Sequence, residues 1–123
     1  MSQISSQTHA ISINPATGEQ IGHYAFESAE ALDAALTRAA FGFSKWKRKP
    51  LQDRSRALTA LAGALRDSAE AMATMITLEM GKPIAQARGE IEKCAKLCEW
   101  YAENGPAMLD AEPTQVEGGK ARI

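Results

Sequence analysis

The sequence predicts a mainly α-helical chain in which an N-terminal β-hairpin is followed by about four helices. Apolar residues recur at helical spacing over four stretches, and polar turns, proline or glycine separate those stretches. Two alternating segments, residues 10–13 and 20–26, flank a loop that begins with Asn14 and Pro15. Hydrophobic residues make up 45% of the chain and aromatic residues only 6%. Much of the hydrophobic share is alanine, which forms helices readily but buries little area, so we expect these helices to need a further packing surface.

Composition excludes several classes of protein. The 123 residues carry 14 Lys and Arg against 15 Asp and Glu, so no basic excess exists to neutralise a phosphate backbone. We therefore expect no nucleic-acid partner. No apolar run is long enough for a transmembrane helix and the N-terminus has no secretory signal, so we expect no membrane association. Two cysteines are no disulfide framework, which favours a cytoplasmic protein.

The hairpin is predicted from alternation and turn chemistry. Residues 1–9 are polar and are expected to be disordered. Residues 10–13 alternate as a short strand does, and Asn14 starts a turn in which Gly18 can take a positive φ. Residues 20–26 form the predicted return strand. A lone hairpin is marginal in water, so it too needs a partner surface.

The first two helices are predicted from caps and apolar spacing. Ser28 is a favourable N-cap for a helix over residues 29–46, and Pro50 interrupts the pattern after it. A second helix is predicted over residues 51–66. The apolar positions of the first helix are Leu32, Ala35, Leu36, Ala39, Ala40 and Phe43.

The third and fourth helices are bounded by glycine and proline. Asp67-Ser68 can cap the third helix and Gly81 ends it, while Pro83 suits the first turn of the fourth. The sequence Asn104-Gly105-Pro106 is predicted to stop the fourth helix. Residues 111–123 are polar and are predicted to hold the start of a strand.

Cys94 and Cys98 are the candidates for metal chemistry that the residues themselves suggest, whereas the carboxylate pairs Glu90/Glu92 and Glu99/Glu103 lie opposite the apolar stripe, where charged residues are expected. The two cysteines lie four apart, on one face of the fourth helix, and so offer two metal ligands. No histidine or third cysteine lies nearby in the sequence, and both fall in the apolar stripe, where buried structural thiols are common. No nucleophile–base spacing and no phosphate loop is present, so we predict no catalytic and no cofactor-binding residue.

Several segments, taken in order over residues 11–110, resemble the opening of aldehyde dehydrogenases. Within that family, residues 77–109 are most similar to bacterial succinate-semialdehyde dehydrogenases. The matching segments are residues 14–19 (N-P-A-T-G-E), the aromatic and basic end of the helix over residues 29–46, Arg54 and Arg56 ahead of Leu58, residues 78–83 (L-E-M-G-K-P) and residues 100–102 (W-Y-A).

The resemblance implies part of an α/β aldehyde dehydrogenase fold. Residues 10–110 would be the N-terminal helical part of the NAD(P)-binding domain with its leading hairpin, and residues 111–123 would lead into the remainder. It further implies oxidation of an aldehyde, succinate semialdehyde in the closest subgroup, to the carboxylate with NAD or NADP, in a homo-oligomer. The family's catalytic cysteine, glutamate and dinucleotide-binding strands follow the matched stretch, so we expect this chain alone to be inactive.

Two further positions come from the resemblance alone. Some family members bind a structural monovalent cation where this chain has the carbonyl of Ile13 and the carboxylate of Glu79. The fourth helix borders the substrate entrance, which makes Lys93 a candidate lining residue that would attract an anionic substrate. A solvated lysine opposite the apolar stripe is the competing interpretation. The alternative for the whole chain is a stand-alone helical interaction module, which would have a closed core without exposed apolar stripes.

Overall fold

The computed structural model describes residues 9–110, 113–116 and 119–122. A hairpin leads into four consecutive helices, and a second hairpin follows them. Each hairpin is its own two-stranded antiparallel sheet. The elements are β1 (His9–Ile13), β2 (Gln20–Ala25), α1 (Ala29–Trp46), α2 (Leu51–Asp67), α3 (Ala69–Met80), α4 (Ile84–Met108), β3 (Pro113–Val116) and β4 (Gly119–Arg122).

The β1–β2 turn forms as its residues predict. The Asn14 backbone N–H donates to the Glu19 carbonyl at 2.8 Å, and the Asn14 side-chain oxygen accepts from the Ala16 N–H at 2.9 Å. Gly18 takes a φ of 76°, which a residue with a Cβ adopts only at a cost. His9, predicted within the disordered N-terminus, instead begins β1 and is paired with β2. Residues 1–8 of that prediction lie outside the described residues.

Helix α1 packs little against the rest of the chain. The Ser28 hydroxyl accepts from the Ala31 N–H at 3.1 Å, which confirms the predicted N-cap. No residue of α1 is buried, and the side chains of Leu32 and Leu36 are 54% and 59% exposed. The predicted apolar stripe is therefore present but uncovered, as expected for helices that need a further packing surface.

The buried core lies where α2 and α3 pack against α4. Small side chains let the three helices approach closely, and Ile91 is the one large side chain buried among the described residues, at 4% exposed. If the helices lack a further packing surface, apolar spacing predicts that Leu32, Leu36, Met72, Met75 and Ile91 are partly uncovered. The first four are exposed, whereas for Ile91 the prediction is wrong, because it lies on α4, which both α2 and α3 pack against. The other buried residues are Ala62, Ala73, Ala87 and Ala95.

Helix α4 does not stop at Asn104-Gly105-Pro106 as predicted, but continues to Met108. A proline inside a helix removes the one hydrogen bond that its missing N–H would make, and this loss is small so near the C-terminus. The Asn104 side-chain nitrogen also donates to the Trp100 carbonyl at 2.9 Å. None of the helices in the described ranges is long and apolar enough to cross a membrane.

Two arginines attach α2 and α3 to α4. Arg66 of α2 donates to Glu92 at 2.9 Å and to Glu99 at 2.5 Å, and Arg88 of α4 donates to Glu70 of α3 at 2.7 Å. The hydrogen bonds from the arginines lower the pKa of all three carboxyl groups below its ordinary value. Because the pairs are exposed, they specify how the helices align more than they add stability.

The segment after α4 contains two strands where the sequence predicted the start of one. Residues 113 to 116 pair antiparallel with residues 119 to 122, with Pro113 opposite Arg122 and Val116 opposite Gly119.

Candidate functional site

The N-terminal hairpin meets the corner between α3 and α4. The Ser12 hydroxyl on β1 donates to the Glu79 carboxylate near the end of α3 at 2.8 Å. Gly81 turns the chain there with a φ of 68°, and a Cβ at this position would lie 3.2 Å from the Pro15 ring. Both the left-handed backbone and the close approach of the hairpin therefore favour glycine at this corner.

The structure brings the two predicted cation ligands to this same corner. Ile13 follows Ser12 directly, and the strand register is irregular between these two residues. The contact between Ser12 and Glu79 thus holds the Ile13 strand beside the Glu79 carboxylate. Within the described residues, no three His, Cys, Asp or Glu side chains cluster as a metal site. The site predicted at Ile13 and Glu79 differs from such a cluster, because its ligands would be one backbone carbonyl and one carboxylate. Cation binding there stays a prediction.

Lys93, the predicted entrance residue, is exposed on α4. Its neighbour on the helix surface, Glu90, pairs instead with Lys82, whose ammonium lies 2.5 Å from the Glu90 carboxylate. Lys96, one turn further, lies 3.7 Å from Glu92. Within residues 9–110 the Lys93 ammonium has no ion pair, so its positive charge is left available to an incoming anion.

The prediction that both cysteines are buried is wrong. Cys94 is exposed and Cys98 is half-buried. The buried face of α4 passes through Ile91 and Ala95, and Cys94 is turned away from it by about 100° around the helix from Ala95. The described residues also supply no third ligand that would make the pair a metal centre.

A groove between α2 and α4 is the feature that the sequence analysis missed. It encloses about 290 Å³, and its only charged lining residue is Arg54, whose Nε is buried without a hydrogen-bond partner. The signal was present in the spacing, because Arg54 lies three residues after Leu51 and four before Leu58 on the inward face of α2. The lining residues are Leu51, Arg54, Ser55, Leu58, Tyr101, Gly105, Pro106 and Leu109.

Known sequences match nearly the whole chain. The family model described as the aldehyde dehydrogenase family matches residues 3–122. Over 98% of this chain, 53% of residues are identical to a succinate semialdehyde dehydrogenase [NAD(P)+] of Escherichia coli. A succinate-semialdehyde dehydrogenase [NADP(+)] of Mycobacterium tuberculosis is 41% identical over 85% of the chain. These matches cover 26% and 23% of the two relatives, so the chain spans about a quarter of their length.

The likeness extends to three dimensions. The crystal structure of a succinic semialdehyde dehydrogenase from Streptococcus pyogenes, solved with NADP+, superimposes with a TM-score of 0.85 at 29% identity. The match covers 92% of this chain and 25% of that one. The predicted fold class, a hairpin and four helices that form part of the α/β aldehyde dehydrogenase fold, is thereby confirmed, and so is the resemblance. The chain belongs to the aldehyde dehydrogenase family.

Proposed function

We propose that this chain is the N-terminal segment of an NAD(P)-dependent aldehyde dehydrogenase that oxidises succinate semialdehyde to the carboxylate. The observation that carries the proposal is the 53% identity to the Escherichia coli succinate semialdehyde dehydrogenase along 98% of this chain. The full-length enzyme would be a cytoplasmic homo-oligomer that uses NAD or NADP as the hydride acceptor. Residues 10–110 would form the N-terminal helical part of its NAD(P)-binding domain.

The contribution of this segment is structural, and the remainder of the enzyme supplies the chemistry. A cysteine thiolate would attack the aldehyde carbonyl, and a glutamate would activate the water that releases the acid. Neither Cys94 nor Cys98 matches the catalytic cysteine of the family, and neither has a general base within hydrogen-bonding distance in the described residues. We therefore expect the isolated chain to be inactive.

Lys93 and the Ile13–Glu79 corner are the two places where this segment would assist directly. The free ammonium of Lys93 on α4 would draw the carboxylate of succinate semialdehyde toward the entrance. A monovalent cation between the Ile13 carbonyl and Glu79 would hold the hairpin on the α3–α4 corner, where Ser12 already contacts Glu79.

The stand-alone interaction module is the weaker alternative. A free-standing module needs a closed core, whereas Phe43, Leu32 and Leu36 of α1 are all exposed. Apolar stripes of this kind favour a segment that packs against more protein.

A hybrid enzyme tests the proposal. In it, residues 1–123 replace the matching quarter of the Escherichia coli relative, and formation of reduced NAD or NADP is followed by absorbance. We expect a higher kcat/KM for succinate semialdehyde than for butanal, which has the same chain length without the carboxylate. The isolated 123-residue chain should show no turnover. A hybrid that folds but turns over neither aldehyde would contradict the proposal.

Substitutions in the hybrid enzyme test the Lys93 role. Lys93→Ala should raise the KM for succinate semialdehyde several-fold at low salt, with little effect on butanal. Lys96→Ala is the matched control, because Lys96 lies on the same helix but is already beside Glu92. Equal effects of the two substitutions, or equal effects on both aldehydes, would assign Lys93 to the solvated surface.

A further inference from the structure

Arg54 is a charged residue whose side chain is partly buried without a partner. Its Nε is buried and has no hydrogen bond, and its guanidinium forms no ion pair within the described residues. The other arginines of α2 differ, because Arg56 pairs with Asp53 and Arg66 pairs with two glutamates of α4. Burying an N–H donor is costly unless an acceptor compensates. The Nε N–H of Arg54 lacks that acceptor within the described residues.

The start of α2 lies at the same groove. Its N-cap is Pro50, which has no side-chain acceptor, and no side chain caps the first turn. Leu51, the first residue of the helix, lines the groove together with Arg54 and Ser55. The unpaired N–H groups at a helix start attract an anion. They therefore act in the same direction as the positive charge of the Arg54 guanidinium.

The remaining walls of the groove are apolar. Leu58 lies on the α2 side, and Tyr101, Pro106 and Leu109 lie on the α4 side. A free inorganic anion would leave these walls in contact with water. An occupant that suits both the apolar walls and the positive end of the groove is an apolar side chain adjacent in sequence to an Asp or Glu.

We propose that this groove is the docking site for an apolar, carboxylate-bearing segment of the full-length enzyme that lies outside residues 1–123, with its Asp or Glu paired to Arg54. The inference rests on the proposed function, in which the chain is one segment of a longer enzyme. The matched relatives carry about three quarters of their length outside the matched region, which supplies ample chain to cover the groove. Charge complementarity to Arg54 selects the acidic side chain.

The hybrid enzyme and the isolated chain, compared side by side, test the docking. In the hybrid enzyme, Arg54→Gln should lower the unfolding midpoint by on the order of 5 °C, and Arg54→Lys should recover part of the loss. In the isolated chain, Arg54→Gln should leave the midpoint unchanged, because no carboxylate is lost. Arg56→Gln is the matched control and should have little effect in either protein, because its pair with Asp53 is exposed.

Amide hydrogen exchange gives a second readout that needs no substitution. The Leu51 and Gln52 amides should exchange more slowly in the hybrid enzyme than in the isolated chain, because a docked carboxylate would accept from the helix start. Equal exchange in both proteins, or an Arg54→Gln effect of equal size in both, would overturn the proposal. The proposal would also be overturned if the isolated chain forms a dimer that Arg54→Gln dissociates. In that case a second copy of the chain would be the occupant of the groove. Both readouts are independent of turnover, so an inactive hybrid enzyme would reject the proposed substrate and leave the docking result standing.

Discussion

Ile91 anchors the three-helix core, and its truncation should be costly. Ile91 is 4% exposed on α4, the helix that α2 and α3 pack against, and the other buried residues are alanines, which cannot expand to fill a void. Ile91→Ala removes three carbon atoms, worth about 0.8 kcal/mol each in lost burial, or about 2.4 kcal/mol together. The cavity that remains adds to this, so we expect a loss of about 3 kcal/mol. Ile91→Val removes one carbon and should cost about 1 kcal/mol.

Urea unfolding of the hybrid enzyme, followed by circular dichroism, measures these losses. Leu97→Ala is the matched control on the same helix, because Leu97 is 55% exposed and its truncation should change stability by no more than about 0.5 kcal/mol. We expect the loss in free energy of unfolding to be largest for Ile91→Ala, smaller for Ile91→Val and smallest for Leu97→Ala. A loss for Ile91→Ala no larger than that for Leu97→Ala would refute the packing of α2 and α3 on α4.

Glu70, Glu92 and Glu99 have pKa values lowered from the ordinary 4.5 by their arginine partners, so their stabilisation is complete above pH 4.5 and is lost as pH falls through the lower folded-state values. Urea titrations across pH 3–6 should therefore show a smaller acid loss for Arg66→Gln than for the Arg38→Gln control, and equal slopes would contradict the Arg66 pairing. Gly81→Ala should destabilise the chain by about 1–2 kcal/mol, because residue 81 has a left-handed φ. Gly63→Ala is the control on α2, where a Cβ would meet open space, and it should stabilise the chain by up to about 1 kcal/mol. Stability changes of the same sign for both variants would contradict the geometry of the α3–α4 corner. Iodoacetamide should label exposed Cys94 faster than half-buried Cys98, as followed by mass spectrometry, and the reverse order would contradict the orientation of α4.

The elements that the sequence predicted correctly are those with local causes. The Ser28 cap, the Asn14 turn, the positive φ of Gly18 and the end of α3 at Gly81 each depend on residues within a few positions along the chain. The end of α4 was missed because a Gly-Pro pair normally stops a helix, and the cost of Pro106 is small when only two helical residues follow it.

The errors in burial have a different cause. Helical spacing shows which residues share a face but does not show which neighbour covers that face. The stripes of α1 and α4 look equally apolar in the sequence, yet α4 is covered by two helices and α1 packs little against the rest. Cys94 was assigned to the buried face for the same reason. Arg54 was noted only as a family match, because the lack of an acceptor around its Nε depends on contacts between α2 and α4.

The central claim is that this chain is a segment whose apolar faces belong against the rest of an aldehyde dehydrogenase. The most direct test is binding of a hydrophobic fluorescent dye to the isolated chain, with its mass in solution measured in parallel. Leu32, Leu36, Met72 and Met75 remain uncovered, so we expect a helical chain that binds the dye and self-associates. A dye-negative monomer with a sharp cooperative melt would show a closed core and would favour the stand-alone module instead.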